Sequence, residues 1–232
     1  MVLSSPEAAT LHPFRSMNEA IIIFPQPRIM PRGKGMIEKL RKPISLFVAI
    51  LLIALLVFVQ PRGFGTLRME LVKLAGFALV FAGVLGRILC TVYIGGRKNR
   101  ELCQSGIYSM CRNPLYFFSF LGLIGIFLVS QHITITLVAG SLFLILYHNV
   151  ILSEEKKLLA LFPQEFPTYE KTVPRFWPRW GSLKDSRILE VNTGIFIRSL
   201  SEVLWFLFAL IAIEAIGIMR EHGVIAPFFS WF

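Results

Sequence analysis

The chain has 232 residues, 55% of them apolar and only 16% charged, where an ordinary soluble domain carries roughly 25% charged residues. That balance excludes a disordered segment and a conventional soluble enzyme. The net charge of +10 and pI near 9.9 fit basic loops beside anionic lipid headgroups, so no nucleic-acid partner is expected.

The mean hydropathy of +0.65 is concentrated in blocks, and a bilayer-spanning helix needs about 20 mostly apolar residues. Five blocks qualify, predicting an all-α, polytopic integral membrane helix bundle. Residues 1–42 form a basic arm whose one short apolar run, 21–24, lies among prolines and cations and does not resemble a secretory signal. The first span is predicted over 44–59, punctuated by Pro43 and Pro61. The second, over 74–94, repeats Ala78, Ala82, Gly86 and Cys90 every four residues, a small-residue stripe expected to pack against another helix. Arg87 in this span either snorkels to the boundary or points into a cavity.

The third span (115–129) and the fourth (133–152) are separated by little more than Gln131 and His132, which predicts a tight helical hairpin. No Asp, Glu, Lys or Arg lies between Arg112 and Glu154. His132 is read as structural. A hydrophilic segment follows over 153–199, then a fifth span over 200–219 and an aromatic tail, 227–232. The predicted organisation is thus an arm (1–42), a membrane core with cofactor-binding segments (43–199), and an additional helix with its tail (200–232). Seven Lys and Arg residues fall in the arm, four in the loop after the second span and eight in the hydrophilic segment, against only Arg62, Arg68, Lys73 and Arg220 on the other side. The positive-inside rule then makes the N-terminus and both hydrophilic segments cytoplasmic, in a bacterial inner membrane or the endoplasmic reticulum. Cys90, Cys103 and Cys111 lack the spacing of a zinc or redox motif and are expected as free thiols, with no metal site.

Chemistry concentrates at the two ends of the hairpin. Before it lie Gly106, Tyr108 and the run Arg112-Asn113-Pro114-Leu115-Tyr116. Pro114 suits the first helical turn, and Asn113 is a natural N-cap; Arg112 and the tyrosines are equally natural boundary anchors. After it come Glu154 and Glu155, followed by Lys156 and Lys157. Glu154 has Lys157 at helical spacing, but carboxylates at a helix C-terminus oppose the macrodipole unless the helix continues. His148, within the fourth span, is either hydrogen-bonded to a neighbouring helix or functional. If the ends meet, they place a cation, an amide, a phenol and carboxylates at one membrane boundary, a donor set suited to a small zwitterion.

In order and spacing, Gly106-Ile107-Tyr108, Arg112-Asn113-Pro114-Leu115-Tyr116, Glu154-Glu155, Phe162, Tyr169 and Val173-Pro174-Arg175-Phe176-Trp177-Pro178 resemble the isoprenylcysteine carboxyl methyltransferases and their phospholipid methyltransferase relatives, over roughly residues 74–180. The resemblance implies a membrane-embedded methyltransferase that uses S-adenosyl-L-methionine without a Rossmann domain. Its acceptor would be a lipophilic or prenylated molecule entering from the lipid. Carried over by motif, the cofactor contacts would be Arg100, Leu102, Cys103, Tyr108, Asn113, Pro114, Tyr116 and Glu154, with Glu155, His148 and Arg112 as candidate catalytic groups. Asn113 stands where the family usually has histidine, and Val150 where eukaryotic prenylcysteine enzymes carry arginine. A lipid-amine N-methyltransferase is the alternative activity. A sterol-type reductase using a nicotinamide cofactor and a non-catalytic membrane scaffold are the competing classes.

Overall fold

The computed structural model describes residues 51–52, 54–61, 63–95, 100–184, 193–225 and 229–230. The expected arm, half of the first span and most of the aromatic tail lie outside these residues. Five helices are complete within them: α1 (Leu67–Ile94), α2 (Pro114–Val129), α3 (Ile133–Leu161), α4 (Phe166–Thr172) and α5 (Thr193–Glu221). Residues 54–58 are also helical, and β1 (Val59–Gln60) pairs in parallel with β2 (Phe229–Ser230). α1, α3 and α5 are long and apolar enough to cross a membrane, and α2 is a shorter apolar helix. The chain is therefore an integral membrane helical bundle, with the end of the first span packed through Leu52 and Leu56 onto Phe127 and Ala139 of the hairpin.

α1 and α2 form the most extensive helix pair, and glycine makes it possible. A Cβ added to Gly83 would stand 2.7 Å from the Gly122 backbone nitrogen, and one added to Gly76 2.7 Å from that of Val129. Backbones in lipid approach this closely only where side chains are absent. The expected stripe is corrected here. Ala78 is exposed and Ala82 half-buried, while Gly76, Val80, Gly83, Gly86 and Cys90 are buried. The reason is angular: a step of four residues advances 400°, so a four-residue repeat drifts about 40° per step off a fixed face, whereas the seven-residue step from Gly76 to Gly83 to Cys90 drifts only about 20°.

Pro114 occupies the first turn of α2, as expected. The hairpin turn is tight, as expected: Gln131 adopts φ 63° and its N–H donates to the Leu128 carbonyl at 2.9 Å. His132 lies with its two ring nitrogens 2.8 Å from the Ser130 carbonyl and 2.7 Å from that of Val59, and burial holds its pKa below the usual imidazole value. α3 runs two turns past the expected end at residue 152, so Glu154 and Glu155 sit inside a helix and the macrodipole objection to them falls away. α5 is bolted to the far end of the bundle by a Lys73–Glu214 ion pair at 2.7 Å and by Arg220, whose guanidinium donates to the carbonyls of Leu56 and Val59.

Gly83→Ala should destabilise the detergent-solubilised protein by about 1–3 kcal/mol through overpacking, whereas Ala78→Leu should be neutral. Thermal unfolding of the two variants checks the assignment of the packing face.

Candidate active site

The loop between α1 and α2 is organised by Gly106. Its φ of 58° and the Tyr93 ring, which a Cβ would meet at 2.0 Å, leave room for glycine alone. A 3₁₀ turn, Ile107–Ser109, follows and buries Tyr108 beside Cys90 and Met110. The segment after α4 then runs back along this loop like a strap. Arg112 N–H donates to the Pro174 carbonyl at 2.8 Å, Arg179 N–H to Met110 at 3.0 Å, Gly106 N–H to Lys184 at 2.8 Å, and the Ser182 hydroxyl to Ser109 at 3.0 Å. The Tyr169 hydroxyl adds a bond to the Tyr108 carbonyl at 2.7 Å. Two stretches roughly sixty residues apart thus form one docked unit at the start of the hairpin.

At its centre is a buried ionic node. Arg112 pairs with Glu155 at 3.1 Å, with both side chains at least 93% buried, and with Glu170 at 3.2 Å. Arg175 donates through Nε to the second Glu155 oxygen at 3.0 Å. The Asn113 amide donates to Glu155 at 3.4 Å and to the Arg175 carbonyl at 3.0 Å. Asn113 does stand at the N-cap position, with its carbonyl accepting from the N–H groups of Tyr116 and Phe117, but its side chain makes no cap bond. The amide is turned instead to the Arg175 carbonyl and to an oxygen of Glu155, the second being a hydrogen bond to an ionised group. Two guanidinium groups against two carboxylates leave the node neutral, which is the condition for burying it.

The expected site residues fall into three groups. Arg112, Asn113, Pro114 and Glu155 meet in or beside the node and are buried. Tyr116 and Glu154 are half-buried next to them, and Tyr116 packs at 5.2 Å on Tyr147, which is itself stacked at 4.0 Å on Phe143. Tyr108 is buried under the loop; its side chain and that of Tyr169 stay protonated because burial pushes both phenols up. Leu102 and Cys103 are half-buried on the same loop and Arg100 is exposed. Cys103 Sγ lies 3.6 Å from the Tyr93 carbonyl. His148 is exposed on α3, facing outward from the bundle. None of the three cysteines is in a disulfide, and burial pushes Cys111 up to about 12.

Arg175, Glu170 and the Pro174 carbonyl are node members that residue-type reasoning alone did not single out. The motif containing Arg175 was visible, but nothing in its spacing says that it returns to Glu155. A cavity of about 570 Å³ lies at the opposite end of the hairpin, lined by Leu52, Leu55, Met69, His132, Ile135 and Val138 among others. It is remote from the ionic chemistry.

Glu155→Ala should cost about 3–5 kcal/mol, because it strands the Arg112 charge in the interior, and the double variant Arg112→Leu/Glu155→Leu should lose less than the two single changes together; equilibrium unfolding checks both. At pH 8, maleimide should modify Cys103 and spare Cys90 and Cys111, with labelled peptides read by mass spectrometry.

The phospholipid methyltransferase family model matches residues 81–165, which take in the glycine loop, the Asn113–Pro114 turn and both glutamates. The chain is similar to the cobalt-zinc-cadmium resistance protein CzcN of Cupriavidus metallidurans, at 33% identity over 77% of this chain and 82% of that protein. It is also similar to the nickel-cobalt-cadmium resistance protein NccN of Alcaligenes xylosoxydans xylosoxydans, at 36% identity over 63% of this chain and 68% of the relative. No solved structure matches. The loop before the hairpin and the glutamates after it lie inside the match, and the similarity to CzcN runs over most of both chains: the protein belongs to the phospholipid methyltransferase family, the membrane methyltransferases of isoprenylcysteine carboxyl methyltransferase type.

Proposed function

We propose that this membrane methyltransferase uses S-adenosyl-L-methionine and acts on a lipophilic acceptor in the manner of the isoprenylcysteine carboxyl methyltransferases. The observation that carries the reading is the contact of Asn113 and Arg112 with Glu155, which brings the two halves of the motif set to one membrane boundary. The groups at that contact and on the loop before it suit the cofactor's chemistry. Tyr116, on Tyr147, offers an aromatic face to a cation; Glu154 offers a carboxylate to an ammonium or a hydroxyl; Arg100 offers a cation to a carboxylate; and Arg112 keeps a buried Nε with no hydrogen-bond partner. Leu102, Cys103, Tyr108, Asn113 and Pro114 shape the loop and turn that carry these groups.

When bound, the cofactor supplies a methyl group on a sulfonium centre. The protein's contribution is then orientation and a water-poor setting, which together can remove much of the barrier to an in-line displacement. Glu155, with both oxygens already engaged, acts as a positioning residue that fixes Arg112 and Asn113. A carboxylate acceptor needs no base. An amine acceptor must shed a proton, for which Glu154, half-buried beside Glu155 in the chain, is the available group, and a lipid amine is the second reading because the matching family is that of phospholipid methylation. The site and the N-terminus are assigned to the cytoplasmic side on the distribution of Lys and Arg. The metal-resistance names of the relatives suggest that the modified acceptor serves cells exposed to such cations.

Titration calorimetry on the purified full chain should show micromolar to sub-millimolar binding of S-adenosylmethionine or its demethylated product. Tyr116→Ala and Glu154→Ala should each weaken it about tenfold or more. Absence of binding by the parent protein, or unchanged affinity in both variants, overturns the reading. Lipid extracts incubated with methyl-labelled cofactor then identify the acceptor by mass spectrometry.

A further inference from the structure

We infer that the strap over 175–184 is an anionic-lipid contact surface, seated in the membrane boundary at the face that bears the ionic node. Three observations converge on it. First, the strap is fixed in depth by aromatic contacts with α2: Trp177 lies 6.0 Å from Phe117 and 6.1 Å from Phe120, Trp180 lies 6.3 Å from Phe117, and Phe176 bridges the same two rings at 5.9 Å. Phe117 and Phe120 belong to the first two turns of the short apolar helix α2, at the hairpin end where the polar loop begins, so the indoles stand beside the change from apolar to polar surface, as interfacial residues do. Second, the strap leaves large apolar groups uncovered by protein: Trp177 is 61% exposed, Trp180 65% and Leu183 59%. Indoles in that state are favoured at a bilayer interface. Third, exposed Arg179 and Lys184 alternate with these groups, and Arg175 is partly exposed beside them. Cations interleaved with interfacial aromatics complement a layer of negative headgroups.

The backbone of this segment is held to the glycine loop by the hydrogen bonds of Arg179, Ser182 and Lys184, so the outward face is presented rigidly. Because Arg175, at one end of the strap, donates to Glu155, lipid that holds the strap also holds one side of the node. The inference concerns the surface alone and stands whether or not the proposed methyl donor is correct.

The test is collisional quenching of tryptophan in the full chain reconstituted in nanodiscs. A Trp205→Phe/Trp231→Phe background leaves the indoles of Trp177 and Trp180. Acyl-brominated phosphatidylglycerol and acyl-brominated phosphatidylcholine are compared at equal mole fraction. Stronger quenching by the phosphatidylglycerol is expected, by several-fold at low salt. The difference should vanish in Arg179→Gln/Lys184→Gln and shrink toward 1 M salt, where screening acts over about 3 Å. A protein retaining only Trp205, which is exposed on α5, should be quenched equally by both lipids and reports that the helices are correctly embedded. Equal quenching of the strap by the two lipids, or a difference that survives the double substitution, overturns the anionic preference. No quenching by either lipid, with Trp205 still quenched, overturns the interfacial seat and leaves the strap facing water or a soluble partner.

Discussion

The burial of Glu155 governs the architecture of the end of the bundle where the hairpin begins and closes. A carboxylate in that position, in the last third of a long apolar helix, is tolerable only with its charge matched and its lone pairs used. Arg112 comes to it from the loop before α2, Asn113 from the cap of α2, and Arg175 from beyond α4. Two stretches that share no secondary structure, residues 112–113 and the strap at Arg175, are gathered by one anion on α3. Because apolar packing is non-directional and this contact is not, the node supplies register as well as cohesion at the place where the chain leaves lipid.

The opposite end uses polar groups for another purpose. There the carbonyls at the close of the first span, left without helical partners, receive hydrogen bonds from Arg220, and the Val59 carbonyl also faces the His132 ring. Gln131 donates to Glu70 at 2.9 Å and Lys73 pairs with Glu214. The fifth span, which lies outside the region shared with the family model, is therefore tied to the rest of the bundle by directional bonds. Mid-bundle, Arg87 lies 5.5 Å over the Phe206 ring and donates to Ser119, so a cation inside the apolar layer is used to join α1, α2 and α5.

Much of this was legible beforehand. Hydrophobic blocks located α1, α2, α3 and α5, Pro114 marked the start of α2, and the charge-free stretch from Asn113 to Ser153 announced the hairpin with little room for a loop. Asn113-Pro114 correctly marked a helix start, yet the use of the asparagine amide was not visible, because capping is a local decision and this one was overridden by a distant carboxylate. The small-residue stripe erred for a geometric reason: a repeat of four is easily seen in the letters but wanders around the cylinder, while the glycines that meet α2 sit seven apart. Arg175 and Glu170 were out of reach of periodicity altogether, since their partners are set by the return path of an irregular strap.

α2 has 16 residues, a rise of about 24 Å, against a hydrocarbon layer of about 30 Å. None of its residues is exposed, so the shortfall is met inside the protein: the rings of Phe176 and Trp177 lie over its first two turns, against Phe117 and Phe120. Irregular chain, rather than further turns of helix, fills the remaining height, and that is what allows polar side chains to stand directly above an apolar helix end.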